Sequence, residues 1–319
     1  MPYTFLVLSA DLAGNVEPVP LGASVPPILP PVNLGALPAA VDPTPEAPPL
    51  AAPPPSGVPL NELFLLAQLG LGGQLSEGRP PNYDAVLEPF ALSAFVRGVP
   101  QSGAGIGAFG LAIDPSGERI FLTGGNGRNL LWSFGVAGGN AGVGSALAAF
   151  EVPIFDLEFD LDGNLWATTG GLGLVRIDPD TGELLESFGF GNTLGLAASL
   201  DGQSLFVATT GGVQRFDLAT RRFSAFSRGT VKVDGLAVDP SDGSLWATRW
   251  PEGGEVIRFD ERGIAETVLP LDGNPAEALA FGRPGTALEG LLFVSHEAGG
   301  GITMVALASR QSLSVATGG

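Results

Sequence analysis

The 319-residue sequence contains no cysteine, and histidine and lysine occur only once each, at His296 and Lys232. Without cysteine the chain can form no disulfide framework, no thiolate metal site and no cysteine nucleophile. The formal net charge is −18. Because such a surface repels phosphate backbones and anionic lipid headgroups, we predict that the chain binds neither nucleic acid nor a membrane surface.

Long apolar runs are lacking as well. No segment approaches the ~18 consecutive apolar residues of a membrane span, so we predict no membrane insertion. Neither lysine nor arginine occurs before Arg79, and a secretory signal begins with a basic region. In this numbering the sequence therefore shows no signal peptide.

An internal repeat organises the chain from about residue 110 onward. Copies such as "GLAIDPSGERIFLTG" and "GLAVDPSDGSLWATRW" place an apolar strand, a glycine turn and a second strand in the same order. Their shared leucines are Leu111, Leu157, Leu196, Leu236 and Leu279, and the spacings of 46, 39, 40 and 43 residues match the period of four-stranded propeller blades. We predict that these leucines are buried at equivalent inner-strand positions, and that Trp166 and Trp246 are equivalent on second strands.

The fold class predicted from this repeat is an all-β β-propeller over residues 60–319. Upstream of the repeat, "ELFLLAQL", "YDAVLEPF" and "LSAFV" resemble the second, third and fourth strands of an incomplete copy. The C-terminal "GITMVALASRQSLSVATGG" fits the outer strands of the fifth copy. Six blades are the expected number, with five or seven as alternatives.

The segment "VDGLAVDPSDGSLWATRWPEGGEVIRFDERG" resembles the SMP-30/gluconolactonase family and, more loosely, NHL-type propellers, over residues 84–310. That resemblance implies six blades and one divalent metal in the central channel, which activates water for lactone or ester hydrolysis. The family's ligands are a Glu, two Asn and an Asp, and Asp234 matches the Asp. Leu194-Gly195 and Thr209-Thr210 stand where the family has Asn-Gly and a strand-ending Asp, and one ligand cannot hold a hard cation. We therefore predict no metal, no cofactor, no catalytic residues and no enzymatic activity.

Other polar patterns are interpreted as structural. His296 with Ser295 and Glu297 resembles an acid–base group, but a lone histidine at a strand end is more often structural. "DLDGN" (160–164) and "DPDTGE" (178–183) lack the ligand spacing of a calcium loop and are predicted to be hairpin turns. "GAGIGAFG" (103–110) precedes a predicted strand and not a helix, so it is not predicted to bind phosphate.

Residues 1–59 form a separate predicted region, an N-terminal donor strand followed by a proline-rich arm. Residues 26–55 contain twelve prolines and no basic side chain, and a polyproline II segment of that length reaches on the order of 90 Å. "YTFLVL" is apolar on both faces and must be buried on both. It has two alternative positions: folded back into its own propeller, or passed to a neighbouring copy as an added strand.

The leading functional interpretation is a structural protein, a protomer of an extracellular or cell-surface filament that polymerises head to tail with itself. This layout is similar to extracellular fibres whose protomers are chained by N-terminal strand donation. A monomeric or cell-surface binding propeller with a self-packed arm, and a divergent lactonase-like hydrolase, are the alternatives. Thr44 in the arm is a candidate for an O-glycan. The predicted self-assembly residues are Tyr3, Thr4, Phe5, Leu6, Val7, Leu8, Ile28, Leu29, Val32 and Leu34.

Overall fold

The computed structural model describes residues 3–7, 60–70 and 83–318, except 104, 106, 230, 250–253, 272–274 and 297–299. Five antiparallel units of four consecutive strands follow one another along the described chain, and we number them as blades 1 to 5. Blades 2 and 3 are joined into one sheet by the pairing of Gly170 and Gly171 with Asn192 and Gly191. Within each blade the first strand is the inner one, and its neighbours are paired in chain order outward. This arrangement confirms the predicted all-β propeller fold.

The strands of each blade follow in chain order. Blade 1 consists of Leu111–Ile113, Arg119–Gly124, Leu130–Gly135 and Ala148–Ala149. Blade 2 consists of Ile154–Phe159, Leu165–Gly171, Leu174–Ile177 and Leu184–Phe188. Blade 3 consists of Gly191–Ala198, Ser204–Thr209, Gly212–Asp217 and Arg222–Ala225. Blade 4 consists of Val233–Val238, Leu245–Arg249, Val256–Phe259 and Ala265–Leu269. Blade 5 consists of Ala276–Phe281, Leu291–His296, Ile302–Ala306 and Gln311–Gly318.

A few short elements lie outside these strands. The strand Tyr83–Val86 pairs antiparallel with the outermost strand of blade 5. Val96–Arg97 pairs in parallel with Gly139–Asn140, and a 3-10 turn spans Val143–Ser145. The outer strands of blade 5 are those predicted for the C-terminal segment. A sixth blade stays a prediction, since the described residues form five complete ones.

The shared leucines have the predicted register. They pair with the second strands as Leu111 with Leu122, Leu157 with Ala167, Leu196 with Val207, Leu236 with Ala247, and Leu279 with Val294. All are buried between adjacent blades except Leu111, which is half-buried. Trp166 and Trp246 pair with the residues that directly follow the shared leucines of blades 2 and 4, and both are buried. Their predicted equivalence is confirmed.

The prediction of a second strand for "ELFLLAQL" is wrong, because Glu62–Gly70 is an α-helix. Asn61 caps it: its Oδ1 accepts the amides of Leu63 and Phe64 at 2.8 and 3.4 Å. Leu63, Phe64 and Ala67 are buried on one helix face against the outer strands of blade 5. The apolar spacing of i, i+1 and i+4 therefore follows a helix and not a strand.

The N-terminal strand is described over Tyr3–Val7, and it pairs in parallel with Phe90–Ala94 of the same chain. This is the folded-back arrangement of the two alternatives predicted for it. The other predicted self-assembly residues, Leu8, Ile28, Leu29, Val32 and Leu34, lie outside the described residues. Docking of the arm onto a second copy stays a prediction.

Candidate active site at the propeller axis

The inner strands approach one another closely at the position just before the shared leucine. Blades 1, 3, 4 and 5 have Gly110, Gly195, Gly235 and Ala278 there. A Cβ atom on Gly195 would collide with the carbonyl oxygen of Asp234, and one on Gly235 would lie 2.5 Å from the carbonyl oxygen of Glu277. Adjacent inner strands therefore leave room for little more than a hydrogen atom at these glycines.

Blade 2 is the exception, because Asp156 occupies this position. The position just after the shared leucine shows the same contrast: blade 2 has Glu158. The other four blades have alanine, namely Ala112, Ala197, Ala237 and Ala280. Blade 2 thus carries two carboxyl groups on its inner strand at the two positions where the other blades carry glycine or alanine.

Backbone groups of two blades hold the Asp156 carboxylate in place. Its Oδ1 accepts the amide of Leu157 and its Oδ2 accepts the amide of Leu196, both at 2.8 Å. The Asp156 amide in turn donates to the Thr168 hydroxyl at 2.9 Å. Because each carboxylate oxygen has a second lone pair, both can still accept a proton from a bound molecule.

A hydroxyl recurs at this position in blades 1, 4 and 5, whereas blade 3 has Ala208 there, so the backbone that presents Asp156 is a repeated feature. Thr123, Thr248 and Ser295 accept the amides of Gly110, Gly235 and Ala278 at 2.8, 2.8 and 3.2 Å. These bonds satisfy an amide at a position where the ladder between the first and second strands is interrupted. The chemistry of blade 2 is therefore added to a backbone that the other blades share.

The side chains of Asp156 and Glu158 are half-buried, and the surrounding protein is close enough to raise the pKa of each. Burial, together with the nearby charge of Asp234, raises the pKa of Asp156 to about 7, against the opposing effect of the two amides. Burial, followed by the charge of Asp156, raises the pKa of Glu158 to about 8. Near neutral pH, one of these groups is therefore close to half ionised and the other is mainly protonated.

Asp234, the one residue that matches a family metal ligand, lies on the inner strand of blade 4, two residues before its shared leucine. Its side chain is half-buried. Since its charge raises the pKa of Asp156 on blade 2, carboxyl groups from two blades lie close enough to interact. Sequence reasoning identified Asp234 and missed Asp156 and Glu158.

The remaining residues do not fit the metal site that the family resemblance implies. Leu194 offers no oxygen ligand from its side chain. The Thr209 hydroxyl is already engaged, donating to the Gly212 carbonyl at 2.8 Å and accepting the Gly211 amide at 3.2 Å. Within the described ranges, no three His, Cys, Asp or Glu residues come together in a way that could hold a metal ion. A hard divalent cation needs six or more oxygen ligands, so we derive no step through a metal.

The other sequence candidates have structural roles. His296 is buried, and its Nε2 lies 2.8 Å from the Thr303 hydroxyl. The Ser295 hydroxyl accepts the amide of Ala278, and Glu297 lies outside the described residues. The acidic loops are turns: Asp160 accepts the amides of Asp162 and Asn164, and Asp178 accepts those of Asp180 and Thr181. The glycine-rich segment leads into the strand Leu111–Ile113, as predicted.

Two further observations concern a cleft away from the axial acids and the length of the helices. A cleft of about 730 Å³ is bordered by the helix Glu62–Gly70 and by residues 286–290. In the parts of the chain that the structure describes, every helix is too short or too polar to cross a membrane.

Comparison with known proteins shows a resemblance to one family. A family model described as the SMP-30/gluconolactonase/LRE-like region matches residues 156–297, from Asp156 through the last strand before Glu297. The predicted resemblance is confirmed. Because the family takes its name in part from an enzyme, the prediction that the chain is not an enzyme is wrong.

Two other comparisons were made, with solved structures and with curated protein sequences. A solved structure of a gluconolactonase from Xanthomonas campestris is 22% identical, with a TM-score of 0.48, and the match covers 61% of this chain and 71% of that one. A comparison with curated protein sequences found no match.

Proposed function

We propose that the chain is a hydrolase of lactones or closely related esters, and that the reaction takes place at the propeller axis beside Asp156, Glu158 and Asp234. One observation carries the proposal. Two carboxyl groups occupy inner-strand positions where each of the other four described blades has glycine or alanine. Burying carboxyl groups costs free energy, so their presence at a crowded axis favours a functional role.

Asp156 is the general base of this proposal. Its carboxylate, held by the Leu157 and Leu196 amides, removes a proton from a water molecule as the water oxygen bonds to the ester carbonyl carbon. A pKa of about 7 suits a base that acts near neutral pH. The two amide bonds keep the carboxylate oriented without consuming all of its lone pairs.

Glu158 is the general acid. Its carboxyl group, with a pKa of about 8, carries a proton at neutral pH and donates it to the alkoxide oxygen as the ester C–O bond breaks. The overall reaction adds one water to the lactone and yields a hydroxy acid. Proton exchange with solvent then returns Asp156 and Glu158 to their starting forms.

Asp234 affects the pKa of the general base. Its negative charge raises the pKa of Asp156, so removal of that charge moves the base to a lower pKa. The match to a family named for gluconolactonase supports the reaction class, and the axial acids supply groups that can perform it without a step assigned to a metal.

The test is hydrolysis of a panel of uncharged lactones and aryl esters by the purified chain. The release of protons monitors the reaction, and the uncatalysed rate is subtracted. We expect turnover with a narrow bell-shaped pH profile that reports the coupled pair of acids. Asp156→Asn and Glu158→Gln remove most of the activity, and Asp234→Asn moves the acidic limb of the profile to lower pH.

The matched control is Glu118→Gln, because Glu118 is an exposed carboxylate in the turn between the first two strands of blade 1. This variant keeps full activity and the unchanged pH profile. If the folded wild-type chain turns over no member of the panel, the proposed function is wrong. If Asp156→Asn and Glu158→Gln hydrolyse the panel as fast as wild type, the reaction is not performed by the axial acids.

A further inference from the structure

The residue two positions before each shared leucine forms a rim around the axis. The five rim residues are Phe109, Phe155, Leu194, Asp234 and Glu277. Four of them lie where the register of an inner strand shifts, in blades 2 to 5, and Phe109 lies two residues before the first strand of blade 1. Each of the five is half-buried. The rim therefore has an apolar arc on blades 1 to 3 and an acidic arc on blades 4 and 5, of which Asp234 is close enough for its charge to act on Asp156. Leu194 also packs in part against the core between blades 3 and 4.

The apolar arc is well packed. The rings of Phe109 and Phe155 have centroids 5.7 Å apart and are tilted by 48°. The Arg128 guanidinium lies 5.1 Å from the centroid of the Phe109 ring. A Cβ atom on Gly170 would come within 3.3 Å of the Phe155 ring edge, so glycine at that position makes room for the ring.

The acidic arc limits the charge of any molecule that enters. Asp234 and Glu277 both carry carboxyl groups there. Arg249, at the end of the second strand of blade 4, already pairs with Glu255 at 2.7 Å, and Lys232, just before the first strand of blade 4, is exposed. An anionic substrate would meet the carboxylates of Asp234 and Glu277 on one side. The cation at the apolar arc, Arg128, already lies over the Phe109 ring and donates to the Ser102 hydroxyl at 3.4 Å.

The chemistry of the arc also weighs against a polyhydroxylated substrate. Phenyl and isobutyl side chains donate and accept no conventional hydrogen bonds, so sugar hydroxyls placed against Phe109, Phe155 and Leu194 would lose their bonds to water without replacement. An alkyl or aryl substituent gains free energy at the same place because its apolar surface leaves water.

We propose that the site takes uncharged lactones or esters with an apolar substituent, which rests on Phe109, Phe155 and Leu194 while the ester group points to Asp156. This inference rests on the proposed hydrolase function, and it adds the class of substrate. Specificity then comes from the three blades with apolar rim residues, and the chemistry comes from the inner strand of blade 2.

The experiment is a chain-length series of γ-lactones from γ-butyrolactone to γ-decalactone, with glucono-δ-lactone as the polar comparison. We expect kcat/KM to rise about two- to fourfold per methylene until the arc is covered, the range for partial to full burial of a CH₂ group. Leu194→Ala and Phe155→Ala reduce kcat/KM for the longest lactone about tenfold and change it less than about twofold for γ-butyrolactone.

Leu200→Ala is the matched control. Leu200 lies in the turn at the opposite end of the same inner strand as Leu194 and is 54% exposed, so its truncation leaves the chain-length dependence unchanged. Far-ultraviolet circular dichroism and melting confirm that each variant is folded. With two independent arc variants, a folding defect in one leaves the other informative.

Binding of γ-lactams with the same alkyl chains, measured by calorimetry, separates the inference from the hydrolase proposal. Turnover without chain-length dependence, or a preference for glucono-δ-lactone, overturns the inference and keeps the hydrolase. Lactam affinity that rises with chain length, in a protein without turnover, overturns the hydrolase and supports the apolar arc. Neither turnover nor chain-length-dependent binding overturns both.

Discussion

Blades 2 and 3 have nearly the same inner strand and differ mainly in what that strand carries. Both place a buried leucine, Leu157 or Leu196, at the same point of the ladder with the second strand. Around that leucine, blade 2 has Asp156 and Glu158, whereas blade 3 has Gly195 and Ala197. The comparison shows that the propeller repeats a backbone and can vary the chemistry at its axis one blade at a time.

The largest expected effect comes from removal of that difference. Asp156→Asn keeps the size of the side chain but removes the base, so we expect kcat to fall about 10²- to 10⁴-fold. The double change Asp156→Gly with Glu158→Ala makes blade 2 match blade 3 and abolishes turnover. Initial rates on the preferred lactone measure the effect.

The matched control for this loss is Ala197→Gly, which alters the blade 3 equivalent of Glu158, a position buried in the core between blades 3 and 4, without touching a carboxyl group. It should leave kcat within about twofold of wild type, since it removes no group placed in the reaction. An equal loss of activity in this variant and in Asp156→Asn would show that packing of the axis, and not the acid, sets the rate.

The second comparison concerns the equivalent tryptophans of blades 2 and 4. The Trp166 indole donates to the buried Asp160 carboxylate at 2.8 Å, and the Trp246 indole donates to the Ser244 hydroxyl at 2.9 Å. Asp160 also accepts the Asp162 and Asn164 amides. We expect Asp160→Ala to lower the free energy of unfolding by about 2–3 kcal/mol, because it leaves several donors without a partner, and Ser244→Ala by about 1 kcal/mol.

Urea unfolding followed by tryptophan fluorescence measures both changes. Asp162→Ala is the control in the same turn, because Asp162 is exposed, and it should change stability by less than about 0.5 kcal/mol. Equal losses for Asp160→Ala and Ser244→Ala would mean that the carboxylate contributes no more than a hydroxyl does.

A third, smaller effect tests how closely the inner strands approach. In Gly195→Ala the new methyl group collides with the backbone of Asp234, and overpacking of this kind costs about 1–3 kcal/mol. Gly135→Ala is the control, because a Cβ atom there meets nothing within 4 Å. Thermal unfolding should show a lower Tm for the first variant only, and a Gly195→Ala variant as stable as wild type would refute the close approach.

The repeat was predictable because each blade uses the same turn chemistry and strand alternation, and those local signals recur at a fixed period. The helix Glu62–Gly70 was not predictable from the sequence. Six of the eight residues in "ELFLLAQL" are apolar, a pattern that fits a buried strand as well as a helix. Only the Asn61 cap and the contact with blade 5 distinguish the two. Asp156 and Glu158 look like ordinary polar strand residues in isolation. Alignment of the five inner strands, which sets them against glycine and alanine, is the sequence signal that would have found them.

The smallest expected effect is the pH dependence of stability that comes from the two carboxyl groups of blade 2, which blade 3 lacks. The pKa of Asp156 is raised from 3.8 to about 7 and that of Glu158 from 4.5 to about 8, so the folded chain binds more protons than the unfolded chain between those values. Stability is therefore fully present below about pH 4 for these groups and is lost as the pH rises through 7 to 8. Because both side chains are only half-buried, water at the axis offsets part of the loss, and we expect Tm to fall by no more than a few degrees between pH 5 and pH 8.

The acidic surface adds its own repulsion over this range, so the measurement is the difference between wild type and Asp156→Asn with Glu158→Gln, which cannot titrate at the axis. The variant should lose less Tm than wild type over the same pH interval, and parallel Tm curves for the two proteins would show that the axial acids carry ordinary pKa values.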